Sequence, residues 1–131
     1  MTLARGAAGR AVIAYIDSSV LLRIVLRQPN ALKLWPTIEQ GIGSALLEVE
    51  CLRTLDRLRF AEGLADDEIA VRREAVFWLI EAMEIVELTR PVLARAAQAL
   101  PTALGTLDAI HLATALLWQE QNGVDLVMTH P

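Results

Sequence analysis

Hydrophobic and polar positions change period several times along the chain, and those changes delimit the elements. Ala11–Ile16 is a short apolar run with β-branched and aromatic members, and it stops at Asp17. That pattern predicts a buried strand. Val20, Leu21, Ile24 and Val25 then recur at helical spacing behind Asp17-Ser18-Ser19, and Pro29-Asn30 is expected to end that helix. Ala31–Glu39 reads as a second helix limited by Pro36, and Gly41-Ile42-Gly43 as a turn or a very short strand. Ser44 is a good cap for a long helix reaching about Phe60, with Gly63 closing it. Asp66-Asp67-Glu68 places acids in the first turn of a helix that runs to about Met83.

The second half repeats the alternation. Ile85–Leu88 reads as a short strand, and Thr89-Arg90-Pro91 opens a helix that ends before Pro101. Thr106 opens another that reaches about Gln121 and is apolar nearly all round, so it is expected to be buried. Asn122-Gly123 turns the chain into a last apolar strand, Val124–Met128. Strands separated by helices imply parallel crossovers. The predicted fold class is α/β, a three-layer α/β/α sandwich with a short central parallel sheet. In such sheets the site lies beyond the carboxyl ends of the strands, which points at Asp17, at the segment after Leu88 and at Thr129-His130.

Composition narrows the possibilities. The 131 residues suit a single domain, and hydrophobic residues at 54% against 21% charged exclude a disordered chain. Residues 1–11 read as a flexible N-terminal extension without the apolar stretch of a secretory signal, and residues 12–131 as the domain. No apolar stretch approaches the roughly 20 residues that span a bilayer, so no membrane association is expected. Cys51 is the single cysteine and His111 and His130 the two histidines, which excludes an internal disulfide and a cysteine zinc cluster and fits a reducing cytoplasm. Twelve basic against sixteen acidic residues give a net charge of −4, which argues against nucleic-acid binding through a broad basic face.

The acids themselves carry the candidate chemistry. Asp17 ends the most apolar strand and starts a helix; it reads either as a metal ligand helped by Ser18 or Ser19, or as a helix cap. Glu48 and Glu50 lie ~200° apart on their helix, so both cannot enter one site. Glu50 shares a stripe with Arg53 and Arg57, which an ordinary ion pair would explain, whereas Glu48 shares a face with Cys51, Leu52 and Leu55; the pattern alone does not choose between them. Asp108 sits in a first helical turn, where the helix dipole favours an acid, and His111 is placed to bond it at i+3. A lone histidine on an apolar flank is more often structural than catalytic. Acids converging at one sheet edge would make an oxygen-rich pocket suited to Mg²⁺ or Mn²⁺, and such an ion can activate water at a phosphoryl group. Nucleic-acid hydrolysis then needs no large basic face.

Three stretches resemble the PIN-domain ribonucleases, and most closely the VapC-type toxins of bacterial toxin–antitoxin pairs: Ile13–Leu22 (IAYIDSSVLL), Ser44–Arg53 (SALLEVECLR) and Leu107–Ala115 (LDAIHLATA). The resemblance covers nearly the whole chain from Val12 onward, and the third stretch is its most specific part. It implies a metal-dependent endoribonuclease, with Mg²⁺ or Mn²⁺ as cofactor, that cleaves RNA as a homodimer and is silenced by a cognate antitoxin. The implied catalytic and metal-binding acids are Asp17, Glu50 and Asp108, with Ser18 and Arg53 supporting them. The family's pattern is what selects Glu50 over Glu48. The family often has a fourth acid in a Thr-x-Asp context after the last strand. Here Thr129-His130-Pro131 stands there, and the chain stops where a further helix and strand usually follow, as a truncated C-terminus would. Three acids suffice for one Mg²⁺.

The missing acid leaves an alternative, a degenerate PIN-like module that binds a partner protein without cutting RNA. A phospho-acceptor reading of Asp17 lacks a paired acid motif and a suitable lysine, since Lys33 is the chain's only lysine. The apolar surplus in Leu21, Leu22, Ile24, Val25, Leu26, Leu32, Leu34 and Trp35, with Trp78 and Trp118, reads as core or as a groove for an antitoxin helix and a dimer face. The resemblance further implies an antitoxin whose basic C-terminal end enters the acidic site.

Overall fold

The computed structural model describes residues 12–27 and 38–129. The expected N-terminal extension, most of the expected Ala31–Glu39 helix and the His130-Pro131 ending lie outside the described residues. Four strands are seen, β1 (Val12–Tyr15), β2 (Ile38–Ser44), β3 (Glu84–Val86) and β4 (Val127–Met128). With them are five helices, α1 (Ser18–Val25), α2 (Leu46–Glu62), α3 (Asp66–Glu81), α4 (Arg90–Ala96) and α5 (Thr106–Asn122). All pairings are parallel, in the order β3-β2-β1-β4. The chain therefore steps outward from β1 to β3 and then crosses to the opposite side of β1. That reversal makes the space beyond the ends of β1 and β4 the switch point where such sheets place their ligands.

Both faces of β1 are covered, because its side chains alternate between two cores. Ala14 and Ile16 meet Leu21, Val25, Leu47, Cys51, Leu55 and Val76 from α1, α2 and α3. Tyr15 joins Ile42, Ala115, Trp118 and Leu126 on the α5 side. These are the two outer layers of the predicted three-layer sandwich.

Two elements differ from their prediction. Ile38–Ser44 is a seven-residue strand, where the pattern suggested the end of a helix and then a turn or a very short strand. Its glycines are demanded by packing: a Cβ on Gly43 would stand 2.8 Å from Met83 Cε and 3.1 Å from Leu47 Cδ2. β4 is two residues long rather than five. Elsewhere the ends shift only slightly. Helix α1 stops at Val25, before Pro29, with Arg27 in the left-handed region (φ 56°). Gly63 ends α2 in the left-handed conformation that glycine adopts without strain (φ 64°). Thr89 caps α4 by accepting a bond from Val92 N. Helix α5 buries Ala109, Ala113, Thr114, Ala115 and Trp118 but leaves Leu107 49% exposed, so it is covered on one face and not all round.

Candidate active site

Asp17 is delivered by the most buried strand. Ile16 N donates to Ile42 O at 2.8 Å, so sheet pairing persists to the residue before the acid. Asp17 occupies the cap position of α1, yet its side chain makes no capping bond; Oδ2 accepts from Ser19 Oγ at 2.7 Å. The carboxylate is thus not spent on the helix end and faces a cavity instead. Of the two candidate hydroxyls, Ser18 and Ser19, Ser19 is the one that bonds it. Ser18 lies beside the buried thiol of Cys51, its carbonyl 3.9 Å from Sγ.

That cavity, about 370 Å³, opens beyond the ends of β1 and β4 and is lined by Tyr15, Asp17, Asp108, His111, Leu112 and Thr129 among others. Asp108 reaches it from the first turn of α5, so the first and third predicted acids share one space. Thr129 closes the β4 side: its Oγ1 donates to Tyr15 O at 2.7 Å and accepts from Asp17 N at 3.3 Å.

Glu50 approaches from α2. The core stripe of that helix is Leu47, Cys51 and Leu55, and the two glutamates flank it. Glu48 is exposed and turns toward Ile80, Ile85 and Glu87. Glu50 turns the other way, and its Oε1 lies 2.8 Å from His111 Nε2. The Glu50–Arg53 ion pair that would have explained Glu50 by its helical stripe alone does not form. Arg53 is 64% exposed and binds Asp56 at 3.2 Å, one turn further along α2, so it sits outside the site. His111 likewise does not bond Asp108 as its i+3 spacing suggested; its partners come from other elements, Glu50 and Tyr15 Oη at 2.6 Å from Nδ1.

Burial pushes the Tyr15 hydroxyl far above its ordinary range, and the negative charges of Glu50 and Asp17 add to this against opposing hydrogen bonds from Thr114 and Ser44. Tyr15 Oη and Glu50 Oε1 thus engage the two ring nitrogens of His111. The Cys51 thiol is likewise pushed up to about 12 by burial and then by the charges of Glu50 and Asp17. Two acids from different elements are therefore felt at the same two buried groups. Among the described residues, no three His, Cys, Asp or Glu side chains are arranged to hold a metal ion as they stand. Asp17 and Asp108 share the cavity, and Glu50 sits behind His111. The chemistry of the set, carboxylates only, suits a hard cation.

Sequence reasoning missed Tyr15 and the role of His111. The signal was present in part, since Tyr15 alternates with Ala14 and Ile16 onto the α5 side of the sheet.

A larger groove, about 520 Å³, lies away from the acids between α1 and α3, with Ile24, Val71, Ala75, Trp78 and Leu79 in its walls. Trp78 is 76% exposed, whereas Trp118 is core and donates to Glu84 Oε2 at 2.9 Å. Leu21 and Val25, grouped with the apolar surplus, are buried.

Comparison with known proteins identifies the family of the chain. The PIN domain family model matches residues 14–130. Ribonuclease VapC47 of Mycobacterium tuberculosis (strain CDC 1551 / Oshkosh) is 32% identical over 103 residues, 77% of this chain and 73% of the relative. Ribonuclease VapC46 of Mycobacterium tuberculosis (strain ATCC 25618 / H37Rv) is 35% identical over 115 residues, 86% of this chain and 78% of the relative.

Proposed function

The chain belongs to the PIN-domain family, and on that premise we propose that it is a VapC-type toxin, a divalent-cation-dependent endoribonuclease acting in the cytoplasm. The observation that carries the reading is that Asp17 and Asp108, from β1 and α5, line one cavity at the switch point of the parallel sheet. Asp17, Glu50 and Asp108 would hold Mg²⁺ or Mn²⁺. The chemistry such a cation supplies when bound is activation of a water and neutralisation of charge at the scissile phosphate.

The chain's own residues prepare the place. Ser19 orients the Asp17 carboxylate, Thr129 ties the end of β4 to the backbone on either side of it, and His111 holds Glu50. Leu104, Leu112 and Met128 give the cavity an apolar wall against which a nucleotide can exclude water. A net charge of −4 accords with this reading, because the substrate's phosphate would be met by a cation and not by a basic face.

The same proposal includes a cognate antitoxin and a toxin homodimer. The apolar groove between α1 and α3, with Trp78 as its exposed aromatic anchor, suits an antitoxin helix. A second reading, a partner-binding module that does not cut, draws on the lack of a ready three-ligand arrangement among the described residues.

One experiment separates the two. Purified wild type is expected to cleave RNA with Mg²⁺ or Mn²⁺ and to stop in EDTA, while Asp17→Asn and Asp108→Asn do not cleave. Equal cleavage by wild type and Asp17→Asn would make the site wrong. No cation-dependent cleavage by wild type, and no growth arrest on expression, would favour the second reading.

A further inference from the structure

His111 has no ring nitrogen to spare. Nε2 lies 2.8 Å from Glu50 and Nδ1 lies 2.6 Å from Tyr15, so one ring ties α5 to both α2 and β1. The Tyr15 and His111 rings also meet edge-on, with centroids 5.8 Å apart. His111 and Glu50 are only 12% and 20% exposed at their side chains, and His111 lines the cavity that Asp17 and Asp108 share. In this arrangement neither nitrogen is available to take a proton from water or to bind a metal, so His111 is not itself a base or a ligand. What it does is fix a glutamate, whose flexible side chain otherwise loses its rotamer freedom at the moment of binding.

We infer that Tyr15 and His111 form a positioning relay: Tyr15 orients the imidazole, and the imidazole holds Oε1 of Glu50, which leaves the other carboxylate oxygen free to reach a cation bound beside Asp17 and Asp108. This rests on the reading of Asp17, Glu50 and Asp108 as the cation site. Outer partners of this kind hold a ligand's orientation and typically govern metal affinity by roughly 10–100-fold. Tyr15 and His111 are positioning residues, not catalytic ones.

The test is a Mn²⁺ titration of the full chain, read as the electron paramagnetic resonance signal of free Mn²⁺ and independent of RNA cleavage. His111→Ala is expected to weaken binding by roughly 10–100-fold. His111→Gln, whose amide N–H falls near the place of Nε2, is expected to recover most of it, a rescue that a merely space-filling role would not produce. Tyr15→Phe is expected to weaken binding less, since the N–H to Glu50 survives while the ring loses its orienting partner. Unchanged affinity in His111→Ala overturns the relay, and tighter binding would mean that the contact withholds Glu50. If melting curves show that His111→Ala does not fold, the other two variants decide: unchanged affinity in Tyr15→Phe, or no recovery in a folded His111→Gln, overturns it. Asp17→Asn and Asp108→Asn are the control for the underlying reading. A wild type that takes up no Mn²⁺ removes that reading and the relay with it. Binding that is lost in Asp17→Asn but intact in His111→Ala removes the relay alone.

Discussion

The two ends of α1 are built on opposite principles. At its N-terminal end, Asp17, Ser19, Thr129, Tyr15, His111 and Glu50 are engaged through hydrogen bonds of 2.6–3.3 Å. At its other end, ~12 Å away for eight residues of helix, Ile24 and Val25 meet Val71, Ala75, Trp78 and Leu79 across an open groove. There Arg72 Nη1 donates to Val25 O at 2.7 Å, at the end of the helix dipole that favours a cation, but Arg72 Nε is buried without a partner among the described residues. A polar atom left unmet in an apolar groove costs about 1–3 kcal/mol. The N-terminal end is thus closed by satisfied hydrogen bonds, whereas the other end, among the described residues, is an open groove with one polar atom unmet.

That contrast can be broken most sharply by charge. Asp17→Asn or Asp108→Asn is expected to lower cation-dependent RNA cleavage by more than the roughly 10–100-fold that outer-shell changes cost, with thermal melting close to wild type; single-turnover cleavage of a labelled RNA measures it. Next in size is Trp78→Ala. As an exposed anchor it is expected to cost about 2 kcal/mol of antitoxin affinity by calorimetry, while stability stays within about 0.5 kcal/mol and cleavage is untouched. A loss of cleavage in Trp78→Ala would dissolve the separation of the two ends.

Ser19→Ala removes one hydrogen bond from the Asp17 carboxylate, and an effect of about 1.5–3 kcal/mol is the upper range for a bond to a charged group. With solvent able to replace it in a partly open cavity, a tenfold drop in Mn²⁺ affinity, about 1.4 kcal/mol, is the expected result.

The last effect is a pH dependence. Folding raises the Cys51 thiol from an ordinary 9.0 to about 12. Below pH 9 both folded and unfolded thiols are protonated and contribute nothing. Above it the unfolded thiol ionises first, so the unfolded chain binds fewer protons and stability falls as pH rises toward 12. Tyr15, raised in the same sense, adds to that fall above its ordinary 10.0. Melting temperatures at pH 8 and pH 10.5 are expected to differ more in wild type than in Cys51→Ala, and the folded thiol is expected to resist alkylation at pH 8.

The helices, the first strand and the layer order were legible because each rests on local periodicity. β2 was not. Gly41 and Gly43 are poor strand formers, and this segment is a strand because it is paired on both sides and because Met83 packs where side chains would be. The positions of Asp17 and Asp108 followed from strand ends and helix starts. The choice of Glu50 over Glu48 did not, since it depends on which flank of α2 faces α5. The partners of His111 were also hidden, because both come from elements distant in sequence, and its nearest acid in sequence, Asp108, is not one of them.

Thr129 has a practical side. It stitches the end of the described chain to the strand that carries Asp17, two positions before residue 131. Anything that displaces Thr129 therefore reaches the backbone at Tyr15 and Asp17 through two hydrogen bonds. A label at Gly63, where an added Cβ meets nothing within 4 Å, also has to accept the left-handed backbone there. Exposed Phe60, on helical backbone of the same helix end, is the better place to attach a reporter without disturbing what is to be measured.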